Sequence, residues 1–158
     1  MLVIGWDPGI VNCAWAVYNF EEDCLEATGV TEGIGKDVTR LFYFSYRVSN
    51  ILNTFSPDVC AIERYQLRRG KGFIGNMEKV NIMIGILAGE CYNRNIQVSL
   101  ITPSVHKTYA KRHFGAIKGK NGKISTLTCK QWCHLSTEHE ADAANIAKYA
   151  AIKQEGEK

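Results

Sequence analysis

The chain predicts a single α/β domain built on a mixed sheet. Three strand-like runs open the sequence, helix-like and strand-like patterns then alternate, and two apolar strand patterns end on an acidic residue. With 158 residues, 46% of them apolar, one domain spanning 1–158 can bury a substantial core, whereas two would each be small.

The elements follow in order. Residues 2–6 read as a buried strand, and Asp7-Pro8-Gly9 as its acidic end and a tight turn. Asn12 to Tyr18 follows closely enough for a hairpin, so residues 12–20 and 24–31 are the second and third strands, with Glu21-Glu22-Asp23 at their turn. Gly33-Ile34-Gly35-Lys36 is too short for a phosphate-binding loop and reads as a turn into a helix. That helix carries apolar positions at Val38, Leu41, Phe42, Val48, Ile51, Leu52 and Phe55, and Pro57 ends it. Residues 58–63 form the fourth strand.

Arg68 to Gly75 is polar and Gly-rich and reads as a loop before a long helix near 76–94. Met77, Val80, Met83, Ile84, Leu87 and Cys91 share one face of that helix, but Ile82 and Ile86 fall off it. Apolarity on two sides asks for two partners, the core and a second subunit. Ile96 to Ile101 is the fifth strand. Ser104 is expected to cap a short helix ending at Gly115, with a basic loop over 116–124 and helices near 126–134 and 138–154.

The apolar opening is short and broken by Asp7, so no secretory leader is expected, and no run approaches the roughly 20 apolar residues of a membrane span. Cys13, Cys24, Cys60, Cys91, Cys129 and Cys133 are scattered and fit reduced thiols of a cytoplasmic protein. Cys129, Cys133, His134 and His139 offer zinc-type ligands, but at a spacing wide for a zinc knuckle, and helix packing explains the cysteines better.

The net charge of +3 is modest, yet no acidic residue stands between Glu90 and Glu138, where Arg94, Lys107, Lys111, Arg112, Lys118, Lys120, Lys123 and Lys130 all fall. Arg64, Arg68, Arg69 and Lys71 form a second basic group directly after Glu63. A basic run alone is often only a solvated face. Two such runs beside acidic strand ends point to a polyanion such as nucleic acid.

Asp7 and Glu63 each close a core strand, where an ionised carboxylate is costly without a cation to meet it. His139 and Asp142 sit three apart at the start of an Ala-rich segment, so on a helix they share a face. Carboxylates gathered from distant elements suit divalent cations and phosphoryl chemistry. The small residues Ala141, Ala144, Ala147 and Ala151 would let that helix lie close to the sheet and bring Asp142 towards Asp7.

These residues carry a family resemblance. Ile4-Gly5-Trp6-Asp7-Pro8-Gly9, Ala61-Ile62-Glu63, Thr102-Pro103-Ser104-Val105-His106-Lys107 and His139-x-x-Asp142-Ala-Ala resemble, in order and spacing, the RuvC family of Holliday-junction resolvases. The compactness looks most like phage-encoded members. The resemblance implies an RNase H-like fold and a homodimer through the helix near 76–94. It also implies nicking of branched DNA with two Mg²⁺ or Mn²⁺ ions per active site, leaving 5′-phosphate ends. Asp7, Glu63 and Asp142 would then be metal-binding carboxylates, and the fourth position falls to His139 or its neighbour Glu140. Arg64, Tyr65, Arg68, Arg69, Lys71, Phe73, Lys107, Lys111, Arg112, Lys118, Lys120 and Lys123 would contact DNA. One departure stands out: Gln66 occupies the place where well-known members carry a wedging aromatic, leaving Tyr65 and Phe73 as the nearby aromatics. The competing readings are a nuclease for forks, flaps or structured RNA, and a silent nucleic-acid-binding module. An actin-like nucleotide-binding protein would need a much longer chain.

Overall fold

The computed structural model describes residues 1–64, 74–119 and 121–156. Five strands form one mixed sheet: β1 (Leu2–Asp7), β2 (Asn12–Asn19), β3 (Cys24–Glu32), β4 (Val59–Glu63) and β5 (Gln97–Ile101), in the order β3-β2-β1-β4-β5. β1, β2 and β3 pair antiparallel, and β4 and β5 continue the sheet parallel to β1. The change of direction follows from the connections. Short turns join the first three strands, while helices α1 (Asp37–Phe55) and α2 (Ile74–Tyr92) carry the chain back before β4 and β5.

The period-two alternation of each strand sorts the core into two layers. Ile4, Trp6, Val17, Cys60 and Ile62 pack with Phe44, Val48, Ile51 and Leu52 of α1 and with Met83, Leu87 and Cys91 of α2. On the opposite face Val3, Ala14, Ala16, Val59 and Ala61 pack against the last helix, α4 (Glu138–Gly156). Helix α3 (Pro103–His113) follows β5 and adds Ala110 to that same layer.

α4 lies very close to the sheet, and the sequence says why. A Cβ on Gly5 would sit 2.2 Å from the Ala143 carbonyl oxygen and 2.6 Å from the Ala147 nitrogen. Glycine on β1 and alanines on α4 are what let the two backbones meet. Ala141, Ala144, Ala147 and Ala151 are all fully buried, as the spacing leads one to expect.

Several sequence expectations need correction. Residues 116–124 are not simply a loop: Ile117–Lys118 and Ile124–Ser125 pair as a small antiparallel hairpin, β6 and β7. The expected helix near 126–134 is a 3-10 turn over Thr126–Thr128 followed by turns in which Trp132 N bonds Cys129 O and Leu135 N bonds Trp132 O. Thr126 N and Ser125 Oγ both bond the Glu138 carboxylate, which ties this turn to the start of α4. α3 begins one residue before Ser104, with Thr102 at the cap position and Pro103 in the first turn, and it ends at His113. On α1, Val38 and Phe42 are exposed, because α1 turns its Phe44, Val48, Ile51, Leu52 stripe to the sheet.

Among the described residues the cysteines are free, with Cys13, Cys60, Cys91 and Cys129 buried and Cys133 exposed. Cys129 and Cys133 do not gather with His134 and His139: the one set of three metal-type side chains with ligand atoms mutually within 4.8 Å, among the described residues, is the turn cluster Glu22, Cys24 and Glu26. No described helix is long and apolar enough to cross a membrane.

Candidate active site

Strand parity places the first two carboxylates. Asp7 shares the side of β1 that carries Val3 and Gly5, and Glu63 the side of β4 that carries Val59 and Ala61. β1 and β4 are neighbours, with Trp6 opposite Ile62, so both acids emerge at the same end of the sheet and on the face covered by α4. The first turn of α4 meets them there. His139 Nδ1 lies 2.6 Å from Asp7 Oδ2.

Helix capping sets His139 and Glu140 apart. Thr137 and Glu140 form a reciprocal pair at the start of α4: Glu140 N donates to Thr137 Oγ1 at 3.1 Å, and Thr137 Oγ1 donates to Glu140 Oε2 at 2.9 Å. Glu140 is committed to its own helix end. His139 is the neighbour that reaches Asp7.

Asp142, one turn on, is buried and held from two sides. Lys107 Nζ of α3 donates to Oδ2 at 2.5 Å, and Thr126 Oγ1 donates to Oδ1. Glu63 Oε2 lies 2.7 Å from Nε2 of His106, a residue of α3 with 0% exposure. Sequence reasoning assigned no role to His106, Thr126 or Asn145 and treated Lys107 as a DNA contact. The structure puts Lys107 within the acidic cluster, with its Nζ on Asp142. The Thr-Pro-Ser-Val-His-Lys motif was the available signal for His106 and Lys107; nothing in the sequence flagged Thr126 or Asn145.

Burial dominates the electrostatics of the site. Burial pushes the Asp142 carboxyl above the usual carboxylate range, and Lys107 and Thr126 offset this only in part. Burial also works against the Lys107 ammonium, but the charge and hydrogen bond of Asp142, with Glu63 and Asp7 beyond, raise its pKa overall. The cluster thus favours the charge on Lys107, while burial makes the ionised form of Asp142, the deeper partner, costly. The His139 imidazole is raised by its hydrogen bond to Asp7 against a smaller burial cost, with the charges of Asp7 and Asp142 adding to the rise.

This donor set fits hard divalent cations. Carboxylate oxygens dominate it, and two of the acids are largely buried. The ligands do not close into one tight cage, and an open arrangement leaves room for substrate oxygens.

Comparison with known proteins names the family. The chain is 31% identical over 163 residues to the crossover junction endodeoxyribonuclease RuvC of Dictyoglomus turgidum, with 99% of each covered. The chain belongs to the RuvC family. A second RuvC, from Dictyoglomus thermophilum, is 28% identical over 169 residues, again covering 99% of both. These bacterial RuvC proteins are matched over nearly their whole length, so compactness does not single out phage-encoded members. No protein-family model matches the chain. Among solved structures, Thermus thermophilus RuvC in complex with a Holliday junction substrate superposes with a TM-score of 0.75 at 20% identity, covering 99% of this chain and 96% of that one. The fowlpox virus resolvase in complex with Holliday junction DNA reaches a TM-score of 0.56 at 18% identity, covering 98% and 99%. The fold is thus that of RuvC, RNase H-like and mixed-stranded as expected.

Of the residues expected to contact DNA, Arg64 is exposed directly after Glu63, Lys111 and Arg112 are exposed in the last turn of α3, and Lys118 and Lys123 are exposed on the β6–β7 hairpin. Tyr65, Gln66, Arg68, Arg69, Lys71, Phe73 and Lys120 lie outside the described residues.

Proposed function

We propose that the chain is a divalent-metal-dependent endonuclease that nicks paired strands of four-way DNA junctions, leaving 5′-phosphate ends. The observation that carries this reading is the convergence of Asp7 and Glu63 with His139 and Asp142 on one face of the sheet, in a member of a family named for crossover junction cleavage. Asp7, Glu63, Asp142 and His139 are the residues that would hold two Mg²⁺ or Mn²⁺ ions.

When bound, such ions make a water nucleophilic near neutral pH and stabilise the charge on the leaving 3′ oxygen. The chain's own residues do the positioning. Asp7 and Glu63, fixed by adjacent strands, set the width of the site. Thr126 holds Oδ1 of Asp142, and Lys107 holds Oδ2 and adds a positive charge beside the scissile phosphate. Arg64, Lys111, Arg112, Lys118 and Lys123 guide the backbone by phosphate contact, which positions DNA without reading its sequence.

The enzyme works as a homodimer, since two symmetric nicks require two sites related by a two-fold axis. The outer face of α2 supports this. Met83 and Leu87 lie in the core, whereas Ile82, Gly85, Gly89 and Tyr92 are exposed, with nothing within 4 Å of a Cβ built on either glycine. The off-stripe Ile82, not Met83 or Leu87, is therefore the residue at the proposed seam.

The test is cleavage of labelled four-way, three-way, forked and linear DNA, and of a structured RNA, in Mg²⁺ and in Mn²⁺. Paired nicks chiefly on the four-way junction are expected. Equal cutting of forks or RNA would instead make this a broad-specificity nuclease. Binding without cutting in either metal would make it a silent module.

A further inference from the structure

A buried polar chain behind Glu63 has no part in the chemistry above. His106 is fully enclosed, with Nε2 2.7 Å from Glu63 Oε2. On its other side, Nδ1 lies 3.0 Å from Nδ2 of Asn145, a residue of α4 that is also 0% exposed. The same Asn145 nitrogen lies 2.8 Å from the His106 backbone oxygen.

These contacts fix the proton positions. A carbonyl oxygen only accepts, so the Asn145 atom facing it is the NH₂ group. That group has two hydrogens and two acceptors, the His106 oxygen and Nδ1. Nδ1 therefore carries its lone pair, and the ring hydrogen sits on Nε2, where it donates to Glu63. The opposite tautomer would set a nitrogen lone pair against a carboxylate oxygen and drive the two apart. Asn145 holds its place at a cost: its Oδ1 is buried with no hydrogen-bond partner among the described residues. An apolar side chain of similar size would avoid that orphan acceptor.

We infer that His106 and Asn145 are positioning residues for Glu63: Asn145 locks the Nε2–H tautomer of His106, and His106 holds one carboxylate oxygen so that the other is available to metal. The inference rests on the proposed metal site. It ties β4, α3 and α4 into one unit, because the carboxylate, the ring and the amide come from different elements. Supporting hydrogen bonds of this kind, when removed, weaken metal affinity by about 10- to 100-fold.

Two measurements test it. Long-range ¹H–¹⁵N spectra of the metal-free protein, with the His106 ring assigned through its own backbone resonances, should give a protonated Nε2 and a bare Nδ1. The opposite tautomer overturns the inference, even if no variant folds. Titration with Mn²⁺, followed by the paramagnetic signal of free ion, should rank the variants. Glu63→Gln loses affinity most. His106→Leu and Asn145→Leu lose about 10- to 100-fold. His106→Gln, whose amide can still donate to Glu63, recovers most of the loss. Wild-type affinity in both Leu variants alongside loss in Glu63→Gln overturns the positioning role alone, as does a His106→Gln no better than His106→Leu. Undiminished affinity in Glu63→Gln would instead overturn the metal site itself.

Discussion

Asp7 Oδ2 and His139 Nδ1 stand 2.6 Å apart and join the first strand to the last helix across 132 residues. In the metal-free protein this contact favours the protonated ring, which is why the His139 pKa is raised. The linkage has a definite sign. The stabilisation from the protonated pair is fully present below the ordinary histidine value near 6.5 and is lost as pH rises through the higher folded value. On the proposed function, a metal ion held by His139 would compete with that same proton. Metal affinity should therefore rise with pH through a midpoint above 6.5, and NMR titration of His139 should give a raised value that falls in Asp7→Asn. A His139 that titrates at or below its ordinary value, unaffected by Asp7→Asn, would contradict the pairing.

Imidazole in a carboxylate site also predicts metal preference. Mn²⁺ accepts nitrogen more readily than Mg²⁺, which favours hard oxygen. Activity should be higher in Mn²⁺, and His139→Asp should shift the preference towards Mg²⁺ and flatten the acid limb of the pH profile. Glu140→Gln should have a much smaller effect than His139→Ala on cleavage, because Glu140 serves the helix cap. The reverse ranking would make Glu140 the ligand.

Gly5 is the second sensitive point. Any Cβ there meets the backbone of α4 at Ala143 and Ala147, and backbone gives way less easily than a side chain. Gly5→Ala should destabilise the fold by about 1–3 kcal/mol, the usual range for overpacking, and should lower cleavage further by moving Asp142 away from Asp7. Denaturant unfolding read beside single-turnover rates checks both. A variant of unchanged stability would mean that α4 does not lie this close to β1.

Much of this arrangement was legible in the sequence because it follows from two periodicities. Alternation along β1 and β4 puts Asp7 and Glu63 on one face, and the three-residue spacing of His139 and Asp142 puts them on one side of a helix whose alanines demand close packing. What escaped notice has no local pattern. Asn145 sits one turn beyond Asp142 and looks like any polar helix residue until α3 is packed against it. Thr126 belongs to a segment whose Leu, Cys and Trp spacing imitates a helix, although its backbone makes only a chain of three-residue turns. The β6–β7 hairpin has only two paired residues per strand among lysines and glycines, too little apolar pattern to register. The exposed Phe42 was legible as apolar but not as outward-facing, since periodicity gives a stripe and not its partner, whereas Ile82 already stood off the stripe of its helix.

DNA binding should be steeply salt-dependent. Each phosphate neutralised on duplex DNA contributes a log–log slope near −0.9, so replacing Lys118 and Lys123 on the hairpin by Ala should flatten the slope by up to about two contacts. Replacing Lys111 and Arg112 tests the end of α3 in the same way. Slopes unchanged in both variants would leave these residues as a solvated surface.

The outer face of α2 predicts a selective effect on assembly. Ile82→Glu should give a folded monomer by sedimentation, because Ile82 is exposed in the single chain. Met83→Glu and Leu87→Glu should unfold the protein, because they place a charge in its core. A wild-type protein that remains monomeric at high concentration and on a junction would contradict the two-fold arrangement.

The central claim is that strand acids and helix residues form one metal-dependent cutting site. Its most direct measurement is single-turnover cleavage of a labelled four-way junction by wild type and by Asp7→Asn, with junction affinity measured beside it. On the proposed function, Asp7→Asn removes a metal ligand and a negative charge near phosphates, so cleavage should be abolished while binding is retained or tightened. Near-normal cleavage by Asp7→Asn would contradict the account.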